Sequence, residues 1–414
     1  MTNRLSLTAR TERAHIPPSG GALHLLLQIG AESVAAGERL PLNLAAVADR
    51  SGSMHGPKLT YTKEALRFLV DQMGPADFLS VITYDDQVET LAPSHQVVHK
   101  DALKAAIRRI ESGGTTNLSG GLATGMQQIT AHARPRQVNR VLLMTDGLAN
   151  VGVTDPETLI GWARAWRSRG LTLSTLGVGD DFAEDLLVAL AEAGGGNFHY
   201  IADPDKIPAI FARELDGLLQ VAAQGLQLQF EAEPGVAIDG VLGYPPAGTP
   251  QAITLDLPDI YGGEVKSVIL ALTVAAPPAD GRLGRATLRF MDAAGPEPQS
   301  VTLEVSIGVT AEPGLLEAPP DPEVARQVGL ARAGQAREEA VLLSDQGDLE
   351  AGARALEFAA AALAPMAAHD AEAAEQYAAL QSQAEALRSA QYDKGMRKQM
   401  RQDSFQARQG RSRR

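Results

Sequence analysis

Between about residues 40 and 220 the sequence alternates short apolar runs with longer segments of helical periodicity. This alternation constrains the fold strongly, because strands separated by helices form βαβ units and a mostly parallel sheet. The pattern predicts strands at 42–48, 78–84, 88–91, 141–145, 171–178 and 198–201. It predicts helices at 58–73, 101–110, 118–131, 156–169, 182–193 and 204–220. We therefore expect a doubly wound, mostly parallel α/β domain over residues 39–220.

Both flanks of this domain show short β-type runs interrupted by Gly and Pro, at residues 1–38 and 221–312. Such runs are typical of antiparallel strands. The first flank is too short to be stable alone, because an isolated hairpin is marginal in water. We expect its strands to join those of 221–312, so that the α/β domain is inserted in a small antiparallel β-sandwich. Alternatively, the first flank adds strands to the α/β domain.

The C-terminal part changes composition twice. After a Pro-rich break at 313–322, residues 320–392 are almost all helix formers and predict a helical hairpin or bundle. The hairpin resembles one tetratricopeptide-like unit, and both a plain bundle and a docking or oligomerisation module fit it. Residues 393–414 hold eight Lys/Arg against two Asp. We expect a disordered basic tail, which could contact an acidic partner, a membrane surface or RNA.

The overall composition excludes several classes of function. The 414 residues include no cysteine, which excludes disulfides, thiolate metal sites and a cysteine nucleophile. A net charge of −13 disfavours nucleic-acid binding. No apolar leader is visible, and no apolar run approaches the roughly 20 residues of a membrane span. We therefore expect a cytoplasmic protein without membrane insertion.

Oxygen-bearing side chains follow the ends of predicted strands. Asp49, Ser51 and Ser53 alternate in the loop after the first strand, and Asp146 follows strand 141–145. Thr116 lies between a Gly-Gly pair and a helix. Strand ends of a doubly wound sheet meet at one edge, where ligands bind. Hard oxygen ligands suit Mg²⁺ better than Zn²⁺, so the pattern predicts a magnesium site.

These three motifs, Asp-x-Ser-x-Ser, Gly-Gly-Thr and Thr-Asp-Gly, together resemble the metal-ion-dependent adhesion site of von Willebrand factor A domains. The whole layout resembles bacterial cytoplasmic proteins of that family. The resemblance implies that Asp49, Ser51, Ser53, Thr116 and Asp146 ligate the metal, directly or through water. It implies Mg²⁺, with Mn²⁺ or Ca²⁺ as alternatives. In the family, ligation is coupled to a shift of the last helix, which here is 204–220.

Two neighbouring residues bear on this assignment. Thr116 is preferred to Thr115 because the family's threonine lies six residues before an apolar helix position, which here is Leu122. His55 is the only histidine close to the loop in sequence, and we interpret it as a rim residue rather than a general base. His199, within a strand, is interpreted as structural.

The donor set predicts binding rather than catalysis. Two carboxylates leave a divalent ion with residual positive charge, so a Glu or Asp carboxylate of another protein can join it. We therefore expect a metal-dependent protein–protein interaction module, an adaptor or scaffold, and no enzyme activity. One alternative is an accessory subunit of an AAA+ ATPase or chelatase-type machine. A metal-dependent hydrolase is the less favoured alternative. The partner's identity and the oligomeric state are not predicted.

Overall fold

The computed structural model describes residues 4–413 except 35–38, 245–247, 276, 279, 294 and 296. The chain divides into two compact units. The first, here called the flanking unit, comprises Met1–Ser33 and Ala222–Arg414. The second, here called the inserted unit, comprises Val34–Val221. The predicted boundaries 1–38 and 393–414 each include residues outside the described set.

The strands in chain order are β1 Leu5–Thr11, β2 His15–Ile16, β3 Gly21–Ala31, β4 Leu42–Asp49, β5 Phe78–Tyr84, β6 Val88–Gln96, β7 Val138–Thr145, β8 Thr172–Val178, β9 Gly195–Ile201, β10 Val221–Ala232, β11 Val236–Val241, β12 Ala252–Asp256, β13 Ile260–Tyr261, β14 Glu264–Val274, β15 Arg282–Asp292, β16 Pro298–Ser306, β17 Gly308–Val309 and β18 Arg411–Arg413.

The helices are α1 Pro57–Gln72, α2 Lys100–Arg108, α3 Leu118–Thr130, α4 Pro156–Arg167, α5 Glu184–Gly194, α6 Ile207–Leu219, α7 Pro313–Leu316, α8 Pro322–Asp345, α9 Leu349–Ala367, α10 Ala371–Arg388 and α11 Lys394–Arg408. Short 3₁₀ turns precede α1 and α6, at Gly52–Met54 and Pro204–Lys206.

The inserted unit is built on one six-stranded sheet with the order β6-β5-β4-β7-β8-β9. All neighbouring pairs are parallel except β5 with β6. Every residue of β4, β7 and β8 is buried, as expected for strands covered by helices on both faces. The predicted doubly wound fold is confirmed. Strand order reverses between β4 and β7, which places a crevice at their carboxyl ends.

The flanking unit contains two antiparallel sheets. One has the order β1-β3-β14-β11 and the other β12-β10-β15-β16. Strand β3 pairs with β14 along the whole stretch from Gly21 to Gly30, so the N-terminal strands join those that follow the inserted unit. The predicted insertion into an antiparallel β-structure is confirmed, and the alternative of extra strands on the α/β domain is wrong. The long apolar run of β3 suits its position between two neighbouring strands.

Helices follow the strands of the flanking unit, as the composition predicted. Val324 and Val328 of α8 pack against Leu26 and Ile269 on β3 and β14. The four helices α8, α9, α10 and α11 share a second core of mostly small and aliphatic residues. Alanines allow close helix approach, which is why a segment with few large apolar residues can still form a core. Among the described residues no helix is long and apolar enough to cross a membrane.

The prediction of a disordered basic tail is wrong for most of its length. Residues 394–408 form α11, with Met400 and Phe405 buried. Its cations pair with acidic residues of α8: Arg397 Nη2 lies 2.9 Å from an Asp345 oxygen, and Arg408 Nη1 lies 2.5 Å from Glu338 Oε1. These partners are distant in sequence, so the sequence of the tail does not reveal them. Its run of positive charges alone is typical of a solvated tail. After α11, β18 adds to β14 as a short antiparallel strand.

Candidate metal centre

The first predicted loop begins where β4 ends. Asp49 is the last residue of this strand and its side chain is fully buried. Its Oδ1 accepts a hydrogen bond of 2.7 Å from the backbone N–H of Ser51, and its Oδ2 accepts one of 2.6 Å from Thr145 Oγ1. The carboxylate thus bends the loop back over the strand end, as Asp side chains do in tight turns. It also ties β4 to β7 at the point where the strand order reverses.

Three side-chain oxygens form a continuous chain beside Asp49. Ser51 Oγ lies 3.2 Å from Ser53 Oγ, and Ser53 Oγ donates a 2.7 Å hydrogen bond to Asp146 Oδ1. Neighbouring oxygens in an octahedral Mg²⁺ shell with bonds near 2.1 Å are about 3 Å apart. The spacing and chemistry of these residues therefore fit a small divalent cation.

Thr116 closes the set from a different loop. It is buried, whereas Thr115 is exposed. Its backbone N–H donates to Asn150 Oδ1 at 2.9 Å, which fastens it to the loop after β7. A Cβ added at Gly147 would lie 3.2 Å from Thr116 Oγ1 and 3.8 Å from Ser53 Oγ, so both hydroxyls flank this glycine. The structure thus brings together all five residues that the sequence proposed as ligands.

Asp85 is a site residue that the sequence reasoning missed. A Cβ at Gly113 would lie 1.8 Å from Asp85 Oδ2, so only glycine fits against this buried carboxylate. Arg50 Nε lies 3.3 Å from the same oxygen, and its carbonyl accepts a 2.7 Å hydrogen bond from Gly113 N–H. Asp85 and Arg50 therefore hold the Gly-Gly turn against the Asp49 loop. The available signal was an acidic residue directly after β5.

The electrostatics of the centre are set by burial. Burial raises the pKa of Asp49 to about 6, against the hydrogen bonds from Thr145 and Ser51, which lower it; the charge of Asp146 raises it further. Burial and the charge of Asp49 also raise the pKa of the adjacent Tyr84 phenol well above its usual value. Burial makes the charged form of Asp49 costly, and a divalent ion would relieve this cost.

Lys58 was also missed from the sequence. Its Nζ donates a 2.6 Å hydrogen bond to Asp146 Oδ2, the oxygen that Ser53 does not contact. Lys58 is the second residue of α1, which starts just beyond the Asp49 loop. A charged residue on a helix start gives no periodic signal, so nothing in the sequence pointed to this pairing.

The two histidines considered from the sequence lie in different surroundings. His55 Nδ1 lies 3.2 Å from Ser112 Oγ in an exposed contact. His199 Nε2 lies 3.0 Å from Glu214 Oε2, a buried carboxylate of α6 that also pairs with Arg140. His199 thus belongs to a buried ionic network that joins α6 to the sheet.

Comparison with known proteins agrees with the fold of the inserted unit. The family model described as "von Willebrand factor type A domain" matches residues 43–213, which is most of the inserted unit. The chain therefore contains a von Willebrand factor type A domain.

Two curated relatives each match about half of the chain. The chain is 34% identical over 200 residues to "Uncharacterized protein YfbK" of Escherichia coli, covering 48% of this chain and 35% of that protein. It is 33% identical over 196 residues to "Uncharacterized protein sll0103" of Synechocystis, covering 47% and 46%. The chain thus spans less than half the length of these curated relatives.

A solved structure shares the fold over almost the whole chain. It is the "von Willebrand factor type A from Catenulispora acidiphila", which aligns with a TM-score of 0.76 and 18% identity over 96% of each chain. At this identity the likeness concerns the fold, and it includes the antiparallel sheets and the C-terminal helices.

Proposed function

We propose that this protein binds another protein in a divalent-metal-dependent manner, as an adaptor or scaffold. Asp49, Ser51, Ser53, Thr116 and Asp146 would hold the ion. We propose Mg²⁺, with Mn²⁺ or Ca²⁺ as substitutes, because the donors are all hard oxygens. When bound, the ion would offer a coordination position to a Glu or Asp carboxylate of the partner.

The chain of oxygens from Ser51 through Ser53 to Asp146 is the observation that carries this proposal. Its separations of 3.2 and 2.7 Å match adjacent positions of a small octahedral shell, about 3 Å apart. Hydroxyls and two carboxylates, rather than a ring of carboxylates, leave the ion electron-poor. A partner's carboxylate in this desolvated position would make a charge-assisted contact of the kind that dominates an interface.

The experiment is affinity capture from the source cells with the full chain as bait, read by mass spectrometry. We expect a partner that is retained with Mg²⁺ and lost with EDTA. Asp49→Ala and the isosteric Asp49→Asn should lose the same partner, because each removes a charge from the donor set. Asp71→Asn is the matched control, since Asp71 pairs with Lys104 on the surface. Capture that is unchanged in EDTA would contradict the proposal.

A further inference from the structure

Lys58 places a positive charge directly against one of the proposed metal-binding carboxylates. Asp146 is fully buried, and its two oxygens have different partners. Oδ1 accepts the hydroxyl of Ser53 at 2.7 Å, on the side of the other donors. Oδ2 accepts the Lys58 ammonium at 2.6 Å, and the Lys58 side chain keeps 24% of its surface exposed. The ammonium therefore contacts the Asp146 oxygen that Ser53 does not contact.

The stability of α1 does not explain this placement. Lys58 lies in the first turn, where the partial positive charge of the helix end disfavours a cation. No acidic residue of that turn offsets it. Its Nζ also lies close over the backbone at the end of β8, because a Cβ at Gly179 would be 3.4 Å from it. The ion pair with Asp146 therefore offsets the unfavourable position of Lys58 at the start of the helix.

We propose that Lys58 sets the balance of the site between cation and anion: it weakens the binding of the divalent metal and strengthens the binding of the carboxylate that joins the metal. This inference rests on the proposed function. The charges of Asp49, Asp146 and Lys58 leave the donor set with one negative charge rather than two. The metal-free site therefore attracts a divalent cation less strongly than two carboxylates alone would. Once the cation is bound, the site has a net positive charge and attracts an anion more strongly than a neutral site would.

The first arm of the test measures the metal alone. Free Mn²⁺ is counted by electron paramagnetic resonance during titration of the full chain, for wild type, Lys58→Met and Lys58→Gln. We expect both variants to bind Mn²⁺ more tightly, by roughly tenfold at low ionic strength, because a nearby like charge is removed. Lys58→Arg keeps the charge and should stay near wild type. Lys63→Met is the matched control, since Lys63 lies on the same helix and donates to the Arg108 carbonyl.

The second arm measures an anion on the metal-loaded protein. Acetate is the probe, and its binding is read from the loss of water-proton relaxation enhancement by bound Mn²⁺. We expect Lys58→Met and Lys58→Gln to require several-fold more acetate than wild type, the opposite direction to their Mn²⁺ affinity. Opposite shifts in the two arms are not expected from a loss of folding, which would weaken both.

The outcomes separate this inference from the proposed function. If wild type binds Mn²⁺ and Asp49→Asn does not, while Lys58→Met and Lys58→Gln match wild type in either arm, the role of Lys58 is refuted and the metal site stands. If wild type binds no Mn²⁺, or Asp49→Asn binds it equally well, the proposed function fails and the inference with it. Tighter Mn²⁺ binding together with weaker acetate binding supports the inference.

Discussion

Asp49 combines complete burial with an ionisable group, so the free energy of its charged form depends on the surrounding charges. Both of its oxygens already accept hydrogen bonds, from Ser51 and Thr145. Burial nevertheless raises its pKa to about 6, so these bonds do not replace the lost hydration fully. The metal-free protein therefore favours a protonated Asp49 at mildly acidic pH, whereas ligation of a metal requires the charged form.

The first prediction is a pH dependence of stability that Mg²⁺ removes. The folded pKa of Asp49 lies above its ordinary value of 3.8, so the folded chain holds a proton that the unfolded chain releases. The stability of the metal-free protein should then fall as pH rises from about 4 to 6, by roughly 3 kcal/mol from this group. Saturating Mg²⁺ should offset this loss. Urea unfolding across this range measures it, and Asp49→Asn should lack this component. An Asp49→Asn profile identical to that of wild type would contradict the assignment.

At the scale of single elements, α6 is held to the sheet by an ionic network rather than by apolar packing alone. Glu214 of α6 accepts from Ser174 Oγ at 2.6 Å and Asn197 Nδ2 at 2.6 Å. It also pairs with Arg140 and His199, so strands β7, β8 and β9 all contribute. Burial alone would raise the pKa of Glu214, but the hydrogen bond and charge of His199 and the charge of Arg140 lower it overall.

The second prediction concerns this network. Glu214→Ala should destabilise the protein by about 3–5 kcal/mol, because it leaves the buried Arg140 guanidinium without its carboxylate. Glu214→Gln should cost less, since the amide oxygen can still accept hydrogen bonds. Urea unfolding gives both values. Asp216→Ala, an exposed site on the same helix, should change stability by less than about 0.5 kcal/mol. Equal effects of Glu214→Ala and Asp216→Ala would show that the network contributes nothing.

The sequence predicted the elements of the inserted unit well, and the reasons are local. Buried runs such as 42–48 and 141–145 must be strands between helices, and Asp155 with Pro156 marks a helix start that the structure shows. The donor residues were found because each directly follows a strand end or precedes a helix. Lys58 and the network around Glu214 were not predicted, because charged pairs join residues distant in sequence and carry no periodicity. Asp85 directly follows β5, but its contacts with Arg50 and Gly113 also join residues distant in sequence. For the same reason, the sequence did not predict that α11 is an ordered helix.

At the scale of the whole molecule, the flanking unit is assembled from both ends of the chain. Strand β3 supplies a central strand of one sheet, and the last residues add β18 to the edge of β14. Between these, α8 joins the sheet to the helical core. The C-terminal helix completes this core through Met400 and through Asp403, which accepts a 3.0 Å hydrogen bond from Gln383 beside the buried Arg337.

The third prediction is that this last segment stabilises the flanking unit. Deletion of residues 394–414 should cost about 3–6 kcal/mol, because the contribution of the buried Met400 and Phe405 is removed and the apolar residues that Met400 packs against become exposed. Arg397→Ala removes a partly exposed ion pair with Asp345 and should cost about 1 kcal/mol. Urea unfolding of the full chain and both variants measures the difference. A truncated protein as stable as wild type would mean that α11 does not contribute to the core.

The central claim is that one divalent ion binds at the carboxyl ends of β4 and β7, where the strand order reverses. The most direct test is a crystal of the full chain grown with Mn²⁺ and measured for anomalous scattering. We predict a single strong peak within coordination distance of the hydroxyls of Ser51 and Ser53, next to Thr116 and Asp146 and within water-bridged reach of Asp49. A crystal grown at a saturating Mn²⁺ concentration that shows no peak there, or that holds Mn²⁺ only at other residues, would contradict the account.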